Sequence, residues 1–161
     1  SGIGVDVNAL AGIGVSGGPS QRTLGSYVHQ NLRSVSVDDY DPAVAPDVVA
    51  IYVGSNDYAN RPAVQPSAEN FTAAYLALRQ SILAPFGDSQ VAVVHICGEE
   101  QGPPCSYIQP IAERLGDRYT TTGDPAISKA GCAGHRNATQ QAALARHLSP
   151  VLAAAAGWDN F

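Results

Sequence analysis

Two uninterrupted apolar runs rich in β-branched residues organise the chain. Val48 to Val53, reading VVAIYV, follows Pro46-Asp47, and Val91 to Ile96, reading VAVVHI, repeats the pattern with one histidine. A continuous run, as opposed to an alternating one, marks a strand covered on both faces, as in a parallel sheet. Between the two runs Phe71, Ala74, Tyr75, Leu78 and Ile82 recur at helical spacing behind Ser67, a residue type that caps helix starts. The pattern predicts an amphipathic helix over Ala68 to Leu83 and hence a β-α-β unit. Downstream, Ser106 to Leu115 predicts a helix with a local interruption at Pro110, and Arg118 to Thr121 a short strand. Ala138 to Ala156 predicts a closing helix capped by Asn137, kinked or broken at Pro150 and stopped at Gly157.

Alternation of this kind predicts a three-layer α/β/α architecture on a parallel sheet. The first 47 residues differ, because Gly2, Gly4, Gly12, Gly14, Gly17 and Gly18 crowd a stretch with little periodicity. They read as loops around a short strand. Two GIGV copies, at residues 2 to 5 and 12 to 15, are one brief echo and not the repeat of a solenoid. A single domain, 1–161, without linkers is expected.

Composition narrows the function classes. With 161 residues and 45% hydrophobic positions the chain is long enough for one ordinary core. Charged residues make up only 14%, the formal net charge is -5 and the few arginines are scattered, so there is no electrostatic footprint for nucleic acid or an anionic membrane surface. Apolar stretches stop well short of the roughly 20 residues that cross a bilayer, so no membrane span is expected. Methionine is absent, so Ser1 is expected to follow processing or to lie within a longer chain. Cys97, Cys105 and Cys132 lack metal-ligand spacing and allow one bridge and one free thiol. Two sequons, at Asn70 and Asn137, together with those cysteines lean the expectation towards an extracellular or secretory location. No His, Cys and carboxylate cluster has ligand spacing, so no metal or organic cofactor is expected.

Two places could carry chemistry. Gly54-Ser55-Asn56-Asp57 directly follows the first buried strand, at the carboxyl edge where open α/β sheets build their sites. An asparagine there can donate its side-chain amide to a developing oxyanion, although a plain Asn-Asp capping turn is the bland alternative. His135 lies in Gly131-Cys132-Ala133-Gly134-His135-Arg136-Asn137, a small-residue loop ahead of the closing helix, and its imidazole could serve as a general base. His29, His95 and His147 read as structural. Trp158 and Tyr58 read as packing residues, Tyr58 with the alternative of lining a sugar site.

Taken together these blocks resemble a known superfamily. PDVVAIYVGSNDY, residues 46 to 58, resembles the third block of the SGNH (GDSL) hydrolases, a buried strand leading into Gly-x-Asn-Asp. GCAGHRN, residues 131 to 137, followed by a helix and Gly157-Trp158, resembles the histidine block, most like that of the acetyl esterases of carbohydrate esterase family two. SGIGV, residues 1 to 5, resembles the second block. The resemblance implies a flavodoxin-like sheet, Asn56 as side-chain oxyanion donor, Gly2 as backbone donor, Gly54 as shaper of the turn and His135 as base. A competing register places the second block at Gly14-Val15-Ser16-Gly17, with Gly17 as backbone donor.

The chain departs from the pattern at two points. No Gly-Asp-Ser stands anywhere in it, so the block that supplies the nucleophile in the superfamily, and the central first strand that carries it, are lacking. An upstream segment or companion chain is expected to supply them; Ser16 is the weaker substitute, because Val-Ser-Gly-Gly lacks the required neighbours. The usual Asp of Gly-Cys-Asp-x-His is Ala133 and the usual proline after the histidine is Arg136, so no local carboxylate orients the ring unless Asp124 approaches it. The plain use of the cysteines is one structural bridge, for instance between the loop around Cys105 and the His135 loop through Cys132, with the pairing left open; a Cys132 nucleophile is the sharper alternative, disfavoured because Cys132 lies three residues before His135 in one loop. The function implied is a serine esterase removing acyl groups, O-acetyl above all, from carbohydrate or another small ester. The alternative is a non-catalytic, esterase-like glycan-binding or structural module in a larger assembly.

Overall fold

A computed structural model describes residues 13–17, 23–28, 45–59, 65–87, 90–98, 102–123, 131 and 135–158. Three parallel strands form its sheet in the order β1 (Val48–Ile51), β2 (Ala92–Cys97) and β3 (Arg118–Thr121). Ile51 lies opposite His95, and His95 in turn opposite Tyr119, which fixes the register of all three. Helices α1 (Ser55–Tyr58) and α2 (Ala68–Leu83) connect β1 to β2, α3 (Pro104–Leu115) connects β2 to β3, and α4 (Ala138–Ala156) closes the described fold. The α2, β3 and α4 ranges coincide with those expected from periodicity and caps.

Alternation along β2 separates the two faces of the sheet. Val93 and Cys97 join a buried cluster with Ile51, Phe71, Tyr75, Leu78, Ile108 and Ile111, the apolar stripes of α2 and α3. Both β-α-β crossovers step along the sheet in one direction, and with the right-handed connection they place α2 and α3 on one face. Val94 and Ile96 point the other way and are 0% and 3% exposed, covered on the side where α4 packs on β1 and β2. This is the helix, sheet, helix layering expected of the chain.

Caps explain the helix ends. Ser67 Oγ accepts from the Asn70 N–H at 3.2 Å. Asn137 Oδ1 accepts from the Gln140 N–H at 3.0 Å while Gln140 Oε1 accepts from the Asn137 N–H at 2.9 Å, a reciprocal capping box. Gly157 ends α4 in a left-handed conformation.

Three expectations are corrected. Neither proline breaks its helix: α3 runs through Pro110 and α4 through Pro150. Both prolines, and Ser106 and Arg146 one turn before them, lie on exposed faces, so water can satisfy the carbonyls that lose a partner. The disulfide joins Cys97 to Cys105, with Cα atoms 5.5 Å apart, and not Cys105 to Cys132. Cys97 is the last residue of β2 and Cys105 the second of α3, so the turn between strand and helix brings them together without help from the more distant loop. Cys132 lies outside the described residues, as do Gly2, His29, Asp124 and Ala133. Among the described residues of the glycine-rich start, the regular element is a single 3-10 turn, Leu24–Ser26, and Val15 enters the core.

Candidate active site

The carboxyl end of β1 turns sharply at Gly54, whose φ of 119° is a conformation that favours glycine. A side chain there would also stand 3.2 Å from Pro104 Cβ and 3.3 Å from Phe71 Cζ. Gly54 in this conformation forms the sharp turn and launches α1 with Asn56 and Asp57 at the edge of the sheet.

Asp57 is 1% exposed and is the anchor of the site. Its carboxylate accepts from the Val15 N–H at 2.8 Å, the Ser16 N–H at 2.7 Å, the Ser16 hydroxyl at 2.9 Å and the Gly17 N–H at 3.1 Å. Four converging donors compensate the burial of a charged group type that water would otherwise solvate. They also strap residues 14–17 onto the Asn56 turn. Close approach requires glycine at position 14, where a Cβ would fall 2.7 Å from Asp57 Oδ2. The segment of the competing register, Gly14 to Gly17, is thus part of the site, but the Gly17 N–H is already committed to Asp57.

Asn56 Nδ2 donates to the Ile13 carbonyl at 3.0 Å. That bond holds the amide plane and occupies one of its two N–H groups; the other has no partner among the described residues. Ser16 directs its hydroxyl proton to Asp57 and not to a histidine, an arrangement suited to holding the loop and not to nucleophilic attack.

His135 is exposed, and its carbonyl accepts from the Gly131 N–H at 2.8 Å, which closes the loop ahead of α4. The next residue, Arg136, sets its guanidinium 5.9 Å from the centre of the Tyr52 ring, just past the end of β1. This contact brings the His135 loop to the same edge of β1 as the Asn56 turn.

Tyr58 and His147 pack and tie elements together. Tyr58 is half-buried, its ring 5.6 Å from that of Phe71 and its hydroxyl donating to the Pro66 carbonyl at 3.3 Å. Burial first, then the charges of Tyr107 and Asp57, push that hydroxyl up to about 12, so it stays protonated. His147 donates through Nε2 to the Thr121 carbonyl at 2.8 Å, tying α4 to β3.

Sequence reasoning did not anticipate a buried network behind the site. His95, 0% exposed, contacts the Tyr75 hydroxyl through Nδ1 at 2.7 Å and Asp117 Oδ2 through Nε2 at 2.8 Å, while Arg79 binds the same carboxylate with Nε at 2.6 Å and Nη2 at 2.8 Å. Asp117, held by Arg79, can only accept, so His95 is protonated on Nε2 and Tyr75 donates to Nδ1. Burial lowers the imidazole pKa against the opposing pull of Asp117, and burial raises that of the Tyr75 hydroxyl. One polar residue in an apolar strand, His95, was the visible signal of this network. Thr122 Oγ1, at the carboxyl end of β3, is buried without a hydrogen-bond partner among the described residues.

Among the described residues no group of three His, Cys, Asp or Glu could hold a metal, and no helix is long and apolar enough to cross a membrane. No family model matches the sequence, and no curated protein matches it. A solved carbohydrate esterase, described as having an active site with divergent catalytic and non-catalytic binding functions, matches with a TM-score of 0.69 at 15% identity over 88% of this chain. The fold is therefore that of a carbohydrate-esterase-like α/β protein. The match covers 50% of that chain, so the 161 residues correspond to about half of its length.

Proposed function

We propose that this chain forms part of a serine esterase that removes acyl groups, O-acetyl in the first instance, from carbohydrate. The observation that carries the reading is the Asn56 side chain: an amide held by the Ile13 carbonyl, with one N–H that has no partner among the described residues, at the carboxyl edge of a parallel sheet, beside a loop that presents an exposed histidine. In this reading a serine attacks the ester carbonyl and His135 takes its proton. Asn56 Nδ2 and a backbone amide receive the charge that develops on the carbonyl oxygen, and water then releases the acyl group from the serine. Gly17 already donates to Asp57, so Gly2 is retained as the backbone donor. Ser16 is engaged by Asp57, so the nucleophile is assigned to a segment beyond these residues, lying beside β1. The esterase with the similar fold supports a carbohydrate ester as the substrate class; no cofactor enters the chemistry.

Labelling the native protein with a fluorophosphonate and mapping the modified peptide tests the assignment. A label on a serine of a Gly-Asp-Ser peptide is expected. A label on Ser16 contradicts the assigned nucleophile, and no label on folded protein favours a glycan-binding module without turnover.

A further inference from the structure

The carboxyl edge of the sheet carries a covalent link that the proposed chemistry does not use. Cys97 and Cys105 are bridged across eight positions, at the junction of β2 and α3. Cys97 is 0% exposed and its carbonyl accepts from the Thr122 N–H at 2.8 Å, so the strand side of the bridge is fixed by the sheet. The helix side moves with Pro104, next to Cys105 and fully buried. Pro104 is also the wall of the Gly54 turn: its Cβ and Cγ lie 3.2 and 3.3 Å from where a side chain on Gly54 would stand, with Phe71 opposite at 3.3 Å. Two residues on is Asn56, and the Asp57 N–H closes back on the Gly54 carbonyl at 3.2 Å.

We infer that the Cys97–Cys105 disulfide is a positioning element for the oxyanion turn. It locks the start of α3 to the end of β2 so that Pro104 clamps Gly54 and holds the Asn56 amide in place. The inference builds on the role of Asn56 proposed above, but the clamp itself is a statement about the turn and can be tested without turnover. Opening the bridge removes the covalent tie on Pro104 while the sheet ladder stays intact, so the effect is local to the turn and to the first turn of α3. Reduction by a water-soluble phosphine breaks the S–S bond to two thiols; the phosphine supplies two electrons and becomes its oxide, and water supplies the oxygen and two protons.

Hydrogen exchange read by mass spectrometry tests this on the full native protein before and after reduction, with thiol alkylation confirming that Cys97 and Cys105 are free. Exchange in the peptide spanning Gly54 to Tyr58 is expected to quicken about tenfold while α4 keeps its protection. Pro104→Ala, which leaves the bridge intact but removes much of the wall, should quicken the same peptide. Unchanged exchange at the turn after confirmed reduction overturns the inference, as does equal loss of protection in α4, which would make the bridge a global staple only. On a model acetyl ester, reduction should lower kcat about tenfold with KM within about twofold, since a displaced oxyanion donor acts in the transition state. If the oxidised native protein shows no turnover while the exchange result holds, the esterase reading fails and the clamp stands.

Discussion

At the scale of single residues, the candidate site is held together by a carboxylate that the proposed chemistry does not use. Asp57 gathers the Val15, Ser16 and Gly17 amides and the Ser16 hydroxyl; without it the buried Val15 amide and three half-buried donors would lose their acceptor. Asp57→Asn replaces one acceptor oxygen with an NH2 that faces N–H donors. It should therefore cost about 3 kcal/mol in urea unfolding, with loop 14–17 released first. Thr122 is the opposite case: its Oγ1 is buried without a partner among the described residues, so the hydroxyl is a cost already incurred. Thr122→Val keeps the shape and removes the cost, and should raise stability by about 1 kcal/mol, visible as a higher thermal midpoint.

At the scale of elements, caps and edges decide what the chain can place at the site. Asn137 starts α4 through its capping box two residues after His135, so the same turn that stabilises the helix aims the histidine loop. Asn137→Ala should cost about 1 kcal/mol in denaturant unfolding, and Asn137→Ser should recover most of it. These elements were legible in the sequence because strong local signals agreed: Ser67 and Asn137 at the starts, Gly157 at the stop, and helical spacing at Phe71, Tyr75 and Leu78. Pro110 and Pro150 misled because a local rule about a lost N–H says nothing of whether the orphaned carbonyl faces water. The Cys97–Cys105 pairing was hidden for a related reason. It follows from how tightly α3 returns over the end of β2, a tertiary fact that cysteine spacing does not encode. Asn56 and His135 were legible as candidates from their motifs, whereas the role of Asp57 required the fold that brings residue 15 against residue 57.

At the scale of the whole molecule, the Tyr75, His95, Asp117 and Arg79 network ties α2, β2 and the start of β3 together in the interior. His95 has a lowered pKa, chiefly through burial, so the unfolded chain binds its proton before the folded one does. Stability is therefore fully present above the unfolded histidine value, about 6.5, and falls as pH drops below it. Chemical denaturation between pH 7.5 and pH 5 should show this slope, and His95→Gln should flatten it. Tyr75→Phe should leave Nδ1 without its donor and cost about 1 kcal/mol at neutral pH, read from the same unfolding curves.

The sheet edge that joins the Asn56 turn, the bridged β2–α3 corner and the His135 loop is the basis for the esterase reading. The most direct test is acetate release from acetylated xylan oligosaccharides by the native protein, compared with Asn56→Ala and His135→Ala. We predict turnover by the native protein and a fall in kcat of at least about 100-fold in each variant, the size expected for losing one oxyanion donor or the general base. Full turnover in either variant, or none in folded native protein that still binds the oligosaccharide, would contradict it.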